Sequence, residues 1–348
     1  MKIYLITVLS NDMAIKKILI IAEAGVNHNG DLKIAKKLVK EAKKSGADII
    51  KFQTFSADSL STEKAKLANY QRQCSRDNNS QHKLLQNLSL TKDMHYKLKH
   101  YCDKLKIEFC STAFDIDSLK FLISLGVKRI KIASGEITNY SLLKYISKLN
   151  YPIILSTGMS KMKEINQALN ILTDGSKKRK NITILHCNSA YPTPMKDVNL
   201  KSMSYIKKNT KYNVGFSDHT LGIEVPIAAS ALGATIIEKH FTLDRKLKGP
   251  DQKTSLEPNE LMLMVNSIRN IELALGNFEK NPTKSELKNK KIVRKSLVAS
   301  KKIVKGELFT IENITAKRPG NGISPMKLKN ILGKKSKKNY KIDDLISA

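Results

Sequence analysis

From residue 18 onward, short apolar runs rich in Ile, Leu and Val alternate with longer amphipathic stretches, and this alternation constrains the chain more than any other feature of its 348 residues. Eight runs have strand character: 18–24 (ILIIAEA), 48–54 (DIIKFQT), 107–113 (IEFCSTA), 128–134 (KRIKIAS), 152–157 (PIILST), 182–188 (ITILHCN), 212–217 (YNVGFS) and 235–240 (TIIEKH). Helical spacing marks 31–44, 91–105, 139–149, 161–173 and 222–231 between them, and 258–275 after the eighth. Eight strand–helix units within about 250 residues predict an α/β fold, a (β/α)8 TIM barrel. An open doubly wound sheet is disfavoured, because the turn after the first strand reads Gly25-Val26-Asn27-His28-Asn29-Gly30 rather than GxGxxG.

The barrel is expected over residues 18–278. Residues 1–17 read as an N-terminal extension whose apolar run, 4–9, is too short for a secretory core, and nothing elsewhere approaches a membrane span. A linker is expected over 279–291, and a small β-rich module with Gly306, Gly320, Gly322 and Gly333 over 292–348. The connection 56–90, which holds Tyr70-Gln71 and Arg76-Asp77-Asn78-Asn79-Ser80, is long enough to suggest a functional loop.

Against 31 acidic residues stand 62 basic ones, a formal +31 that raises the question of a polyanionic partner. Only eight of the 62 are Arg, the side chain whose fork suits phosphate and guanine, so a nucleic-acid partner is disfavoured. Runs such as Lys177-Lys178-Arg179-Lys180 are read as solvated surface. Cys74, Cys102, Cys110 and Cys187 form neither CxxC pairs nor a disulfide framework, which fits a reducing cytoplasm.

In a barrel the chemistry sits at the C-terminal ends of the strands. Those ends carry Glu23, Lys51, Gln53, Ser111, Thr112, Lys131, Ser134, Glu136, Ser156, Thr157, His186, Asn188, Ser189, Ser217, Asp218, His219, Glu238, Lys239 and His240. Any single Ser or Thr there is as readily a satisfied core group. Charged Lys51, Lys131 and Glu136 inside apolar runs are harder to explain structurally, because unpaired buried charge is costly. Two lysines among hydroxyls suit a phosphate and a carboxylate. His219 and His240 close neighbouring strands and suit an open divalent-metal site. His82, His95 and His100 are assigned to the long loop or to helix surfaces, and His186 is left between a core role and the site.

The motifs IAEAGVNHNGD (21–31), KFQTF (51–55), STAFD (111–115), KIASGE (131–136), LSTGM (155–159), LHCNSAYPTP (185–194), GFSDHT (215–220), EKHFTLD (238–244), GPD (249–251), SLEP (255–258) and KRPGNGISP (317–325) run in one order along the chain. In this the sequence resembles the sialic acid synthase family, whose barrel is followed by an antifreeze-like (SAF) module. The resemblance implies condensation of phosphoenolpyruvate with an N-acyl sugar aldehyde and water. It implies phosphoenolpyruvate contacts from Lys51, Thr112, Lys131, Ser134, Ser156, Ser189 and Ser217, sugar contacts from Gln53, Tyr191 and Asp251, and proton handling by Glu23 and Glu136. His219 and His240 would hold a divalent ion, Mn2+ foremost, with Mg2+ or Co2+ as alternatives. A homodimer is implied, with Arg318 of one chain's SAF module reaching the N-acyl group held by the other.

Two positions depart from common family forms. Ser189 stands where some members carry Asn, and Gln252 where many carry His. The acceptor implied first is N-acetylmannosamine, giving N-acetylneuraminate, from the HCN and YPTP forms; the alternative is 2,4-diacetamido-2,4,6-trideoxymannose, giving N,N'-diacetyllegionaminate. A Schiff-base aldolase using Lys51, Lys131 or Lys239 is the rival chemistry, and it requires a lysine of depressed pKa.

Overall fold

In a computed structural model the protein is described over residues 17–67, 80–174, 181–277 and 279–347. Residues 1–16, which hold the apolar run 4–9, together with Tyr70, Gln71, Cys74, the run 76–79 and the run 177–180, lie outside the described residues. The chain divides into two compact units, 1–276 and 277–348.

Eight strands build the first unit: β1 (Leu19–Gly25), β2 (Ile49–Thr54), β3 (Glu108–Ala113), β4 (Ile130–Ile132), β5 (Ile153–Ser156), β6 (Ile182–Cys187), β7 (Asn213–Asp218) and β8 (Ile236–His240). They pair in sequence order, all parallel, and β8 returns to β1 to close the barrel. The helices are α1 (Leu32–Lys44), α2 (Ala57–Leu60), α3 (Gln81–Leu88), α4 (Lys92–Leu105), α5 (Ile116–Ser124), α6 (Tyr140–Ser147), α7 (Met162–Leu172), α8 (Lys201–Thr210), α9 (Glu224–Ala231) and α10 (Pro258–Leu275).

The eight predicted strands and six predicted helices are present. α5 and α8 were not foreseen: α5 is only nine residues long and buries Leu119 and Leu122, and α8 is largely polar and buries only Met203, Ile206 and Thr210, so each carries a short, narrow apolar stripe. Residues 56–90 are not a bare loop, because α2 and α3 lie within them.

The period of two along each strand separates two cores. Outward residues such as Ile20, Ile50, Phe109, Ile153, Val214 and Ile237 pack against Leu38, Leu98, Leu122 and Leu169 of the helices. Inward residues Ile21, Ile49, Cys110, Ile154, Leu185 and Ile236 form a dry plug inside the barrel. Gly215 sits level with the plug, where a Cβ would come within 2.5 Å of the Ile236 carbonyl and 2.6 Å of Leu185. At the bottom, Arg269 of α10 bonds the Ile18 carbonyl, Glu272 and Asp48, and Glu272 accepts from the Ile18 amide, so the last helix is tied to the first strand.

The second unit contains α11 (Lys284–Val293) and an antiparallel pair, β9 (Ser296–Ala299) and β10 (Ile314–Lys317). Leu297, Ile303, Phe309, Ile331 and Tyr340 lie in its small core. The stretch expected to be a linker thus contains most of a helix. A capping box between Thr283 and Glu286 starts it, and no residue of it is buried, so apolar periodicity gave no sign of it. Among the described residues no helix is long and apolar enough to cross a membrane.

Gly215→Ala should destabilise the barrel by about 1–3 kcal/mol through overpacking. The expected result is a lower urea midpoint with an unchanged slope; an unaltered midpoint would show that the plug has room to spare.

Candidate active site

One alternation step above the plug, the inward positions change character. Ile21, Ile49, Cys110, Ile154, Leu185 and Ile236 are succeeded by Glu23, Lys51, Thr112, Ser156, Cys187 and Glu238, with Lys131 and Ser217 completing the ring. These residues floor a cavity of about 500 Å³ at the C-terminal mouth of the barrel.

Both lysine side chains are 3% exposed and are held by carboxylates. Lys51 Nζ lies 2.5 Å from Glu23 Oε1, 3.3 Å from Thr112 Oγ1 and 3.8 Å from Glu238 Oε1. Lys131 Nζ donates to Ser156 Oγ at 2.8 Å and lies 3.4 Å from Glu238 Oε1, which also accepts from Ser217 Oγ at 3.1 Å. Burial alone would lower the Lys51 pKa, but Glu23 and Glu238 outweigh it and hold the ammonium above its ordinary range. Burial likewise pushes Glu23 up, and the charges of Lys51, His240 and Lys131 together hold it far below the usual carboxylate range. A lysine stabilised as a cation is an anion ligand and a poor Schiff-base nucleophile.

Glu238 joins this ring, although the sequence reading placed it only among the strand-end residues and gave it no role. Its Oε2 is buried without a hydrogen-bond partner while Oε1 faces both lysines. The signal was available: Ile236 belongs to the plug, so period two places Glu238 in the polar ring.

The turn after β4 brings Ser134 and Glu136 to the same cavity. Ser134 Oγ accepts from the Gly158 amide at 2.9 Å, and Glu136 Oε2 accepts from Asn139 Nδ2 at 2.7 Å. Gly158 is required there, because a Cβ would meet Ser189 Oγ at 2.3 Å and Ser134 Oγ at 2.9 Å.

On the opposite side, the rings of His219 and His240 lie 5.4 Å apart, with Tyr191 4.2 Å from His219 and 5.9 Å from His240. His219 Nδ1 donates to the Asn188 carbonyl at 2.5 Å, which fixes the tautomer and leaves Nε2 its lone pair. Burial, reinforced by the charge of His240, pushes His219 down to about 3, so its imidazole is neutral at ordinary pH, the form a metal binds. His240 Nδ1 is buried without a hydrogen-bond partner, 3.9 Å from Asp251 Oδ2, and Nε2 is 3.7 Å from Glu23 Oε2. Burial raises the Asp251 pKa, opposed by His240. Among the described residues no three His, Cys, Asp or Glu converge as a closed metal set. The pair fits an open two-imidazole site, with an orphaned ring nitrogen as its physical mark.

Every predicted site residue of the barrel lines this cavity, Gln53, Ser189, Tyr191 and Asp251 included. Arg318 belongs to the second unit, where Nε donates to the Val293 carbonyl.

Other strand-end residues point away. Ser111 bonds Thr54, Thr157 bonds the Leu185 carbonyl and His186 bonds the Val198 carbonyl. Lys239, fully buried outside the ring, bonds Asp218 Oδ2 and the Thr220 carbonyl, each at 2.5 Å. His95 is not on a helix surface: it is 1% exposed and bonds Thr54 Oγ1 and the Thr91 carbonyl. Gln252, fully buried, ties Thr242 to the Asn27 carbonyl, a structural task.

A closed parallel barrel whose mouth holds a buried lysine pair beside two imidazoles has the form of a barrel enzyme's active site. The sequence matches the NeuB family over residues 38–280 and the SAF domain over 294–348. It is 54% identical over 331 residues to the N,N'-diacetyllegionaminic acid synthase of Campylobacter jejuni, covering 95% of this chain and 99% of that one. To the enzyme of the same name from Legionella pneumophila it is 45% identical over 322 residues, covering 92% and 90%. The solved N-acetylneuraminic acid (sialic acid) synthetase of Leptospira borgpetersenii superposes with a TM-score of 0.71 at 34% identity, over 81% of this chain and 94% of that one. The chain belongs to the NeuB family, and it is an enzyme of the sialic and legionaminic acid synthase kind.

The Lys239–Asp218 pair gives a stability test. Lys239→Met leaves a buried carboxylate unpaired and should cost about 3–5 kcal/mol, whereas adding Asp218→Asn should restore part of the loss. Chemical denaturation of both variants measures this; equal stability of the single variant and the native protein would refute the pairing.

Proposed function

We propose that the protein condenses phosphoenolpyruvate with 2,4-diacetamido-2,4,6-trideoxymannose and water, forming N,N'-diacetyllegionaminate and phosphate. The observation that carries this acceptor is the near full-length identity to two legionaminic acid synthases, 54% and 45%, against 34% to a neuraminate synthetase. The neuraminate reading expected from the HCN and YPTP forms gives way to its alternative on that ground.

In this reading Lys51 and Lys131 take the anionic groups of phosphoenolpyruvate, aided by the hydroxyls of Thr112, Ser134, Ser156, Ser189 and Ser217. A new bond joins C3 of phosphoenolpyruvate to the aldehyde carbon, and the aldehyde oxygen takes up a proton. Water adds to C2 and gives one proton to a carboxylate; the remaining C2 hydroxyl then passes its proton to the departing phosphate as the C2–O bond to phosphate breaks and the C2 ketone forms. Glu23 is locked as an anion between Lys51 and His240, so it balances charge; Glu136, with one oxygen on Asn139, suits the proton transfer. Glu238 sets the spacing of the two ammonium groups.

His219 and His240 would hold a divalent ion, Mn2+ foremost, which when bound supplies Lewis-acid polarisation of the aldehyde. Gln53, Tyr191 and Asp251 orient the sugar. Two chains pair in this reading, and Arg318, which lies within the matched SAF domain, reaches from one chain to the sugar held by the other.

Phosphate release measured with phosphoenolpyruvate, Mn2+ and each sugar in parallel tests the proposal. Turnover with the diacetamido sugar, at least tenfold faster than with N-acetylmannosamine and abolished by EDTA or by His240→Ala, is expected. Equal or better use of N-acetylmannosamine would reject the acceptor, and full activity after metal removal would reject the role of the histidines.

A further inference from the structure

The cavity is polar at its floor and apolar on one wall. That wall is made by Leu60 of α2, Leu84, Leu85 and Leu88 of α3, Val26 after β1 and Phe114 after β3. Val26, Leu88 and the neighbouring Phe55 are buried, whereas Leu60, Leu84, Leu85 and Phe114 are only partly covered and give onto the cavity. Polar contacts hold the two short helices together: His82 Nε2 meets Asp58 Oδ1 at 2.8 Å, and Ser61 Oγ donates to Oε1 of Gln81, the one polar side chain that α3 gives to the cavity lining, at 3.2 Å. Phe55 and Phe114 meet edge to face, 6.0 Å apart, beneath them. The leucines are thus fixed in place with apolar surface facing the ligand space.

Such a wall discriminates among sugars by what they bring to it. N-acetylmannosamine carries hydroxyls at C4 and C6, which lose water against leucine without gaining a hydrogen-bond partner. The diacetamido-trideoxy sugar carries methyl groups at C6 and at the end of its C4 acetamido group, which gain by leaving water, while the C4 amide needs a polar partner of the kind Gln81 offers beside the leucines. We propose that the Leu60/Leu84/Leu85 wall receives the C4 and C6 substituents of the acceptor and sets the preference for a deoxy, diacylated aldose. This rests on the acceptor proposed above. The wall supplies the physical basis of that choice, and it assigns a specificity role to the inserted helices between β2 and α4.

The test compares kcat/KM for the diacetamido sugar and for N-acetylmannosamine in the native enzyme and in Leu84→Asn, Leu85→Asn, Leu84→Ala and Leu85→Ala, with the KM for phosphoenolpyruvate read in parallel. The Asn variants should lower the preference ratio by about tenfold to a hundredfold. The loss should fall on the KM of the diacetamido sugar and leave the KM for phosphoenolpyruvate unchanged. The Ala variants should move the ratio in the same direction by less, and they decide the matter if an Asn variant does not fold. An unchanged ratio in variants that still bind phosphoenolpyruvate, while the native enzyme prefers the diacetamido sugar, overturns the wall and leaves the proposed function standing. Native preference for N-acetylmannosamine overturns both. With 2-acetamido-2,6-dideoxymannose as a third substrate, intermediate efficiency in the native enzyme is expected, and efficiency no better than that of N-acetylmannosamine would remove the C6 methyl from the account.

Discussion

Two ammonium groups buried at the mouth of a barrel must be neutralised, and the site is organised around that constraint. Lys51 and Lys131 are almost wholly removed from water, where an unpaired charge is prohibitive. Glu23 answers Lys51 directly, and Glu238 faces both lysines with one oxygen. The hydroxyls of Thr112, Ser156 and Ser217 supply further bonds to the ammonium and carboxylate groups. The result is a lysine pair whose positions are set by carboxylates and hydroxyls before any ligand arrives. Preorganised charge of this kind is a main resource of enzyme active sites.

The outward face of the same strands does the positioning. Lys239 lies between Glu238 and His240 in sequence but points to the other side, where it locks Asp218 and the Thr220 carbonyl. Asp218 in turn accepts from the amide and hydroxyl of Thr220, so the turn that carries His219 is fixed at both ends. The Asn188 carbonyl, from the end of β6, then sets the ring. The imidazole pair depends on a polar network that never touches the cavity.

Much of this was legible in the chain. The strands declared themselves by apolar runs, and Lys51 and Lys131 stood out because a charge within such a run needs a reason. The facing of each strand-end group was harder to read. Lys51 and Lys239 look alike in sequence, each in an apolar strand, yet one lines the cavity and the other is sealed behind the barrel. Only the register of the plug, with Ile49 and Ile236 inward, separates them. His95 was misplaced for a related reason: its helix buries a narrow stripe of His95, Leu98 and Cys102, and a histidine does not announce itself as core. α11 escaped because it buries nothing, and the leucine wall because residues 56–90 read as loop. The acceptor could not be read from motifs that the synthases share, and it took whole-chain similarity to move the choice from neuraminate to legionaminate.

The account stands most directly on the claim that Lys131, held by Glu238 and Ser156, is a ligand of the anionic substrate. Calorimetric titration of phosphoenolpyruvate into the metal-free native protein and into Lys131→Met, with no sugar present, measures it. A loss of affinity of about a hundredfold or more is predicted, the scale expected when a buried charge partner of an anion is removed. Native affinity in a folded Lys131→Met protein would contradict the account at its base.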